Sequence, residues 1–159
     1  DLANRIDSPD LDVTADDILV LKNIGPKGAP GMPEAGYIPI PMKLARAGVK
    51  DIVRISDGRM SGTAFGTIVL HVTPEAAVGG PLAFVNNGDR IRLSVKNREI
   101  SLLVSEEELA KRAKENPVIE PTAERGYLKL FLDTVTQADK GVDFDFLRAA
   151  KMVGKTPKR

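Results

Sequence analysis

The 159-residue chain contains no cysteine, no tryptophan and a single histidine, His71. Without cysteine it can form no disulfide, present no thiol nucleophile, bind no zinc through thiolates and hold no iron–sulfur cluster by itself. One histidine excludes a multi-histidine metal site. Aromatic residues are only 4% of the chain, too few for base-stacking platforms. Charge of one sign is also lacking. Lys and Arg number 23 against 22 Asp and Glu, a net charge of +1, whereas a dedicated nucleic-acid binder carries a basic excess. No apolar run approaches the length of a membrane span. Neither nucleic acid nor membrane is therefore an expected partner.

What is present is 42% hydrophobic and 28% charged residues, the balance of an ordinary globular domain, and one domain over 1–159 is the expectation. The chain begins at Asp1, with no basic segment leading into an apolar one. No secretory signal is visible there, and the start reads as a piece of a longer protein. The basic tail 154–159 lacks apolar residues and is expected to fray.

Local patterns predict strands at 17–21, 51–55, 67–72 and 82–85. A short helix is expected from Pro41 to Ala47, stopped by Gly48. Asn86-Asn87-Gly88-Asp89 has hairpin-turn chemistry. Ile91, Leu93 and Val95 alternate with polar residues, and Ile100, Leu102 and Val104 repeat the alternation after a turn at 96–98. Ser105 and Glu108 form a capping box, with Val104 and Leu109 as its hydrophobic staple. A second helix should carry Tyr127, Leu128, Phe131, Leu132 and Val135 on one face. The fold class expected is mainly β with short helices (α+β), arranged as a barrel-like or sandwich-like sheet.

Two loops carry the chemistry candidates. The first, 23–37, holds Gly25, Gly28, Gly31 and Gly36 with Pro26, Pro30 and Pro33, and reaches Glu34. It is no phosphate-binding P-loop, because Lys27 is followed by Gly28 and not by Ser or Thr. Glu34 ends a stiff run, and a carboxylate is a hard ligand suited to Mg²⁺, although a single surface Glu is more often simply solvated. The second loop, 56–66, holds Ser61 before Gly62. It is no nucleophile elbow, since Arg59 and Thr63 stand where glycines would. A serine hydroxyl becomes basic only beside a strong cation. His71 reads as a hydrogen-bonded structural histidine inside a strand. Arg90, Arg92, Lys96 and Arg98 read as a solvated face, and Glu106-Glu107-Glu108 suits a helix first turn.

At these loops the sequence resembles a known family. The stretches are Val20 to Asn23 into Gly25-Pro26-Lys27-Gly28, Pro30 to Glu34, Ile55 to Thr63, His71 to Ala76, Gly79-Gly80-Pro81, Gln137-Ala138-Asp139 and Asp143 to Leu147. Together they are similar to the C-terminal domain of the iron–sulfur dehydratases acting on dihydroxy acids, phosphogluconate and sugar acids. Branched-chain dehydratases typically have Phe before the serine and Gly-Gly-Thr after it. Here Met60 precedes Ser61 and Gly62-Thr63 follow, which looks more like the sugar-acid (pentonate or hexonate) dehydratases.

The resemblance implies a hydro-lyase that makes a 2-keto-3-deoxy acid from a sugar acid. A larger N-terminal domain of the same enzyme would be this chain's partner and supply the ligands of a [2Fe–2S] cluster. The C-terminal domain would be a β-barrel-like swivelling unit. In the family pattern the residue matching Glu34 ligates Mg²⁺, the one matching Ser61 is the base, and the one matching Thr63 helps bind substrate. The separation of Glu34 and Ser61 fits two loops meeting at one site. Further expectations are a homo-oligomeric full-length enzyme in the cytoplasm and an inactive isolated chain. The alternatives are a branched-chain dihydroxy-acid dehydratase and a freestanding, non-catalytic binding module.

Overall fold

A computed structural model of the chain describes residues 2–34, 38–62 and 64–147. After a single helical turn, α1 (Leu2–Arg5), come β1 (Ile18–Leu21), α2 (Met42–Arg46), β2 (Val53–Ser56) and β3 (Ile68–Val69). These three strands form one sheet in the order β1-β2-β3, parallel throughout, with Leu21 opposite Ser56 and Ile55 opposite Val69. Side chains alternate across a strand, and both faces of this sheet are covered. Ile18 and Val20 of β1 pack with Ile55, Ala76 and Leu82 on one side. Leu19 packs with Val13, Leu44 and Ile52 on the other. Burial on both faces is the usual condition of parallel strands.

β4 (Ile91–Ser94) and β5 (Glu99–Leu102) make a separate antiparallel hairpin. α3 (Glu106–Glu115) starts where the capping box placed it, with the Glu108 N–H donating to Ser105 Oγ at 3.2 Å. α4 (Gly126–Thr134) buries Phe131 and Leu132 but leaves Tyr127 71% exposed, so only part of the expected face is core. Phe131, Leu132 and Val135 form their own cluster with Ala123, Val142 and Phe144. Phe131 meets Phe144 edge-on at 5.8 Å.

The α+β expectation holds, but among the described residues the strands do not close into a barrel. The strand expected at 82–85 is a 3-10 turn, Pro81–Phe84. Pro81 sits at its first position, where a fixed φ and a missing N–H favour helical entry, and Leu82 is buried against Ile55. The turn at Asn86–Asp89 forms, with the Asn86 N–H on the Asp89 carboxylate at 2.8 Å, but it leads into β4 instead of joining two paired strands. β3 is shorter than the expected 67–72. His71, at φ +57, lies beyond it and is exposed, and its imidazole makes no hydrogen bond among the described residues, so it is not the hydrogen-bonded strand histidine expected. Its backbone N–H and that of Val72 instead run on to Gly58 and Ser56 carbonyls. The expected frayed tail, 154–159, lies outside the described residues. No helix among them is long and apolar enough to cross a membrane.

The carboxyls of Asp51, Asp89 and Glu107 are held below the usual carboxylate range. Asp51 accepts from the Thr67 hydroxyl and N–H, and Asp89 accepts from the Arg112 guanidinium at 2.6 Å. A depressed folded-state pKa contributes stability that is present above the unfolded value of about 4 and lost as pH falls through the folded value. Asp89→Asn should therefore flatten the acid limb of a melting-temperature profile below about pH 5 relative to the parent protein. An unchanged slope would show that this pair does not couple folding to pH.

Candidate active site

Parallel pairing decides where the two candidate loops go. The first leaves the carboxyl end of β1 and the second leaves the carboxyl end of β2, side by side. Ligands of parallel sheets bind at this edge, because the loops there diverge and leave a crevice.

Buried charged groups then fix the shape of these loops. Asp57, fully buried directly after β2, accepts from the backbone N–H groups of Asn23 (3.0 Å), Ile24 (3.1 Å) and Ala76 (2.9 Å). It stitches the root of the first loop to the root of the second. Glu75, also fully buried, accepts from the N–H groups of Lys27 (2.9 Å) and Gly28 (2.8 Å). Among the described residues neither carboxylate is paired with a cationic side chain. Their oxygens are satisfied by backbone N–H donors and, at Glu75, also by the Gln137 side-chain amide. Gly25 is needed here, because a Cβ on it would lie 2.6 Å from Glu75 Oε2.

The far ends of both loops close on Arg54, whose burial is complete. Its Nη1 donates to the Ile38 carbonyl (2.9 Å), where the first loop rejoins described chain. Its Nη2 donates to the Phe65 carbonyl at the end of the second loop and to Asp51 (3.3 Å). Gly66, at φ +101, turns the chain directly over this group, where a Cβ would strike Asp51 and Arg54.

Between these anchors the loops touch through a parallel β-bridge between Glu34 and Arg59. That bridge places Glu34 two residues along the second loop from Ser61. Glu34 is exposed, and no hydrogen bond or ion pair to its carboxylate occurs among the described residues. Ser61 is half-buried in a turn in which its carbonyl accepts the Ala64 N–H at 2.9 Å. Thr63, the third expected site residue, lies outside the described residues. Among the described residues no cluster of three or more His, Asp or Glu side chains could hold a metal ion. A groove of about 400 Å³, lined by Lys22, Asn23, Gly28 and Ile119 among others, lies behind the first loop and includes neither Glu34 nor Ser61. Sequence reading gave no role to Arg54, Asp57 or Gln137. Asp57 and Glu75 stand in stretches that carry the family resemblance, and that is the signal the sequence offers for them.

The family described as dihydroxy-acid/6-phosphogluconate dehydratase, C-terminal, matches residues 1–142. The 6-deoxy-6-sulfo-D-gluconate dehydratase of Pseudomonas putida is 53% identical over 156 residues, 98% of this chain and 27% of that protein. The L-arabinonate dehydratase of Rhizobium leguminosarum is 50% identical over 157 residues, 98% of this chain and 27% of that protein. A dihydroxy-acid dehydratase of Dehalococcoides mccartyi is 41% identical over 128 residues, 80% of this chain and 23% of that protein. The chain spans about a quarter of the length of the curated relatives it matches. With two braced loops at the carboxyl edge of its sheet and a family match over most of its length, the chain belongs to the dihydroxy-acid/6-phosphogluconate dehydratase C-terminal family.

Proposed function

We propose that this chain is the C-terminal active-site domain of a dehydratase that converts a sugar acid, a 2,3-dihydroxy acid, into a 2-keto-3-deoxy acid. The observation that carries the reading is the bridge joining Glu34 to the loop of Ser61 at the carboxyl edge of the parallel sheet. The sugar-acid subgroup is supported by relatives named for 6-deoxy-6-sulfo-D-gluconate and L-arabinonate, which match at 53% and 50% identity, against 41% for one named for dihydroxy acids.

An exposed, unpaired carboxylate on a braced loop fits one oxygen position of a Mg²⁺ site. Mg²⁺ takes several oxygen ligands, and Glu34 would supply one of them, with others from the rest of the full-length protein, substrate or water. A [2Fe–2S] cluster finds no ligands here, since the chain has no cysteine, and the N-terminal domain of the full-length protein would hold it. When bound, the two groups supply Lewis acidity where charge develops on the substrate carboxylate and on the departing hydroxyl. Ser61 takes the proton from C2 of the acid, and Glu34 contributes its carboxylate to Mg²⁺. Thr63 orients the substrate by its hydroxyl. The C2 proton and the C3 hydroxyl leave as one water, and the resulting enol tautomerises to the 2-keto acid.

The test is a keto-acid assay on the full-length protein, purified anaerobically with Mg²⁺, on pentonates, hexonates and a branched 2,3-dihydroxy acid. Product from sugar acids is expected, and none from the isolated chain. Product from the branched acid alone would replace the substrate. No product from cluster-loaded protein would favour a non-catalytic binding module.

A further inference from the structure

Glu75 is held from two directions. Its carboxylate receives the Lys27 and Gly28 N–H groups of the first loop on one side. On the other it meets Gln137, whose Nε2 donates to Glu75 Oε1 at 2.7 Å while its Oε1 accepts the Glu75 backbone N–H at 2.8 Å. Gln137 belongs to the C-terminal helical unit, which has its own apolar cluster. Its backbone is set by the bridge between Val135 and Phe144 and by the Thr136 N–H on the Asp143 carbonyl at 2.8 Å. The side chain thus reaches out of a separately packed unit to a carboxylate that shapes the loop bearing Glu34. An exposed ion pair between Lys27 and Glu120 at 3.0 Å is a weaker second link.

We propose that Glu75 and Gln137 act as a positioning pair that couples the C-terminal helical unit to the Glu34 loop and sets that loop's shape. Neither residue touches substrate. The proposal rests on the reading of Glu34 as a metal ligand only where metal affinity is its readout.

The donor count makes it testable by exchange of the two groups. Lys27 N–H, Gly28 N–H and the N–H of residue 75 itself all need acceptors. Glu75→Gln leaves a single amide oxygen at the Oε2 position, which keeps the Gly28 N–H (2.8 Å) and the 3.1 Å contact of the Lys27 N–H, while the 2.9 Å contact of Lys27 to Oε1 is lost. Its NH₂ group then faces the NH₂ of Gln137, and flipping Gln137 only moves the donor clash onto the backbone N–H of residue 75. Gln137→Glu sets two carboxylates against each other at the 2.7 Å contact. Each single change thus leaves a mismatched buried pair. The double variant E75Q/Q137E gives every donor an acceptor again, with Lys27 left on its 3.1 Å contact. The amide at 75 accepts from the loop and donates to the carboxylate at 137, which accepts the backbone N–H.

The experiment uses the full-length, cluster-loaded protein and its three variants. Amide hydrogen exchange is followed in segment 24–34, with hairpin 91–102 as internal control, and Mn²⁺ is titrated by electron paramagnetic resonance after Mg²⁺ removal. Each single variant should speed exchange in 24–34 by about tenfold without altering 91–102 and weaken Mn²⁺ by about tenfold, the scale of one unsatisfied buried group. The double variant should return both to within about threefold of the parent. Unchanged exchange in the single variants, a uniform rise that includes 91–102, or no recovery in the double variant overturns the proposal. Exchange that follows the pattern while Mn²⁺ affinity stays constant supports the positioning pair and removes Glu34 from the metal site.

Discussion

Ser61→Ala in the full-length protein is expected to lower kcat by about 10²–10⁴-fold, the range of a lost general base, with little change in melting temperature. The second loop is closed and anchored by groups other than the Ser61 hydroxyl. The turn around Ser61 is closed by its backbone carbonyl and the Ala64 N–H, a bond that alanine retains. The loop is anchored at its start by Asp57 and at its end by Arg54. Parallel measurement of kcat, KM and thermal unfolding separates chemistry from folding. Full turnover in a folded Ser61→Ala protein would take Ser61 out of the mechanism and leave Glu34 without its catalytic neighbour.

The second large effect is on stability. Arg54→Met should cost about 3–5 kcal/mol, as for breaking a buried charged network. The guanidinium is fully buried and donates to three carbonyls, Ile52 (3.1 Å), Ile38 (2.9 Å) and Phe65, as well as to Asp51. Methionine fills much of the space and supplies no donor, so the Ile38 and Phe65 carbonyls lose the donor that pins the loop ends. Arg54→Lys should recover only part of the loss, because an ammonium cannot reproduce the planar fork. Urea unfolding of parent and variants measures both. A midpoint unaltered by Arg54→Met would mean that the loop ends are held by other contacts.

Much of the local structure was legible in the residues. The Ser105 cap, the alternating β4–β5 hairpin, the stop at Gly48 with φ +86 and the helix around Phe131 all formed near their expected places. Their signals lie within a few residues of one another, where cap chemistry and side-chain periodicity act. The segment at 82–85 went the other way. Its apolar run reads equally as strand or helix, and Pro81 together with the burial of Leu82 decided for a 3-10 turn.

By itself the sequence determined the two glycine-rich loops, the candidate residues on them, the absence of cluster ligands and the resemblance to a dehydratase C-terminal domain. Only the tertiary structure decided that β1 and β2 run parallel as neighbours, so that both loops emerge at one sheet edge. It also decided that the charged residues Arg54, Asp57 and Glu75 are fully buried. The reason is physical. A buried charge is tolerated only where donors or acceptors converge on it, and here most of them come from segments 11 to 62 residues away. No local pattern carries that information, because the convergence exists only after the strands have paired.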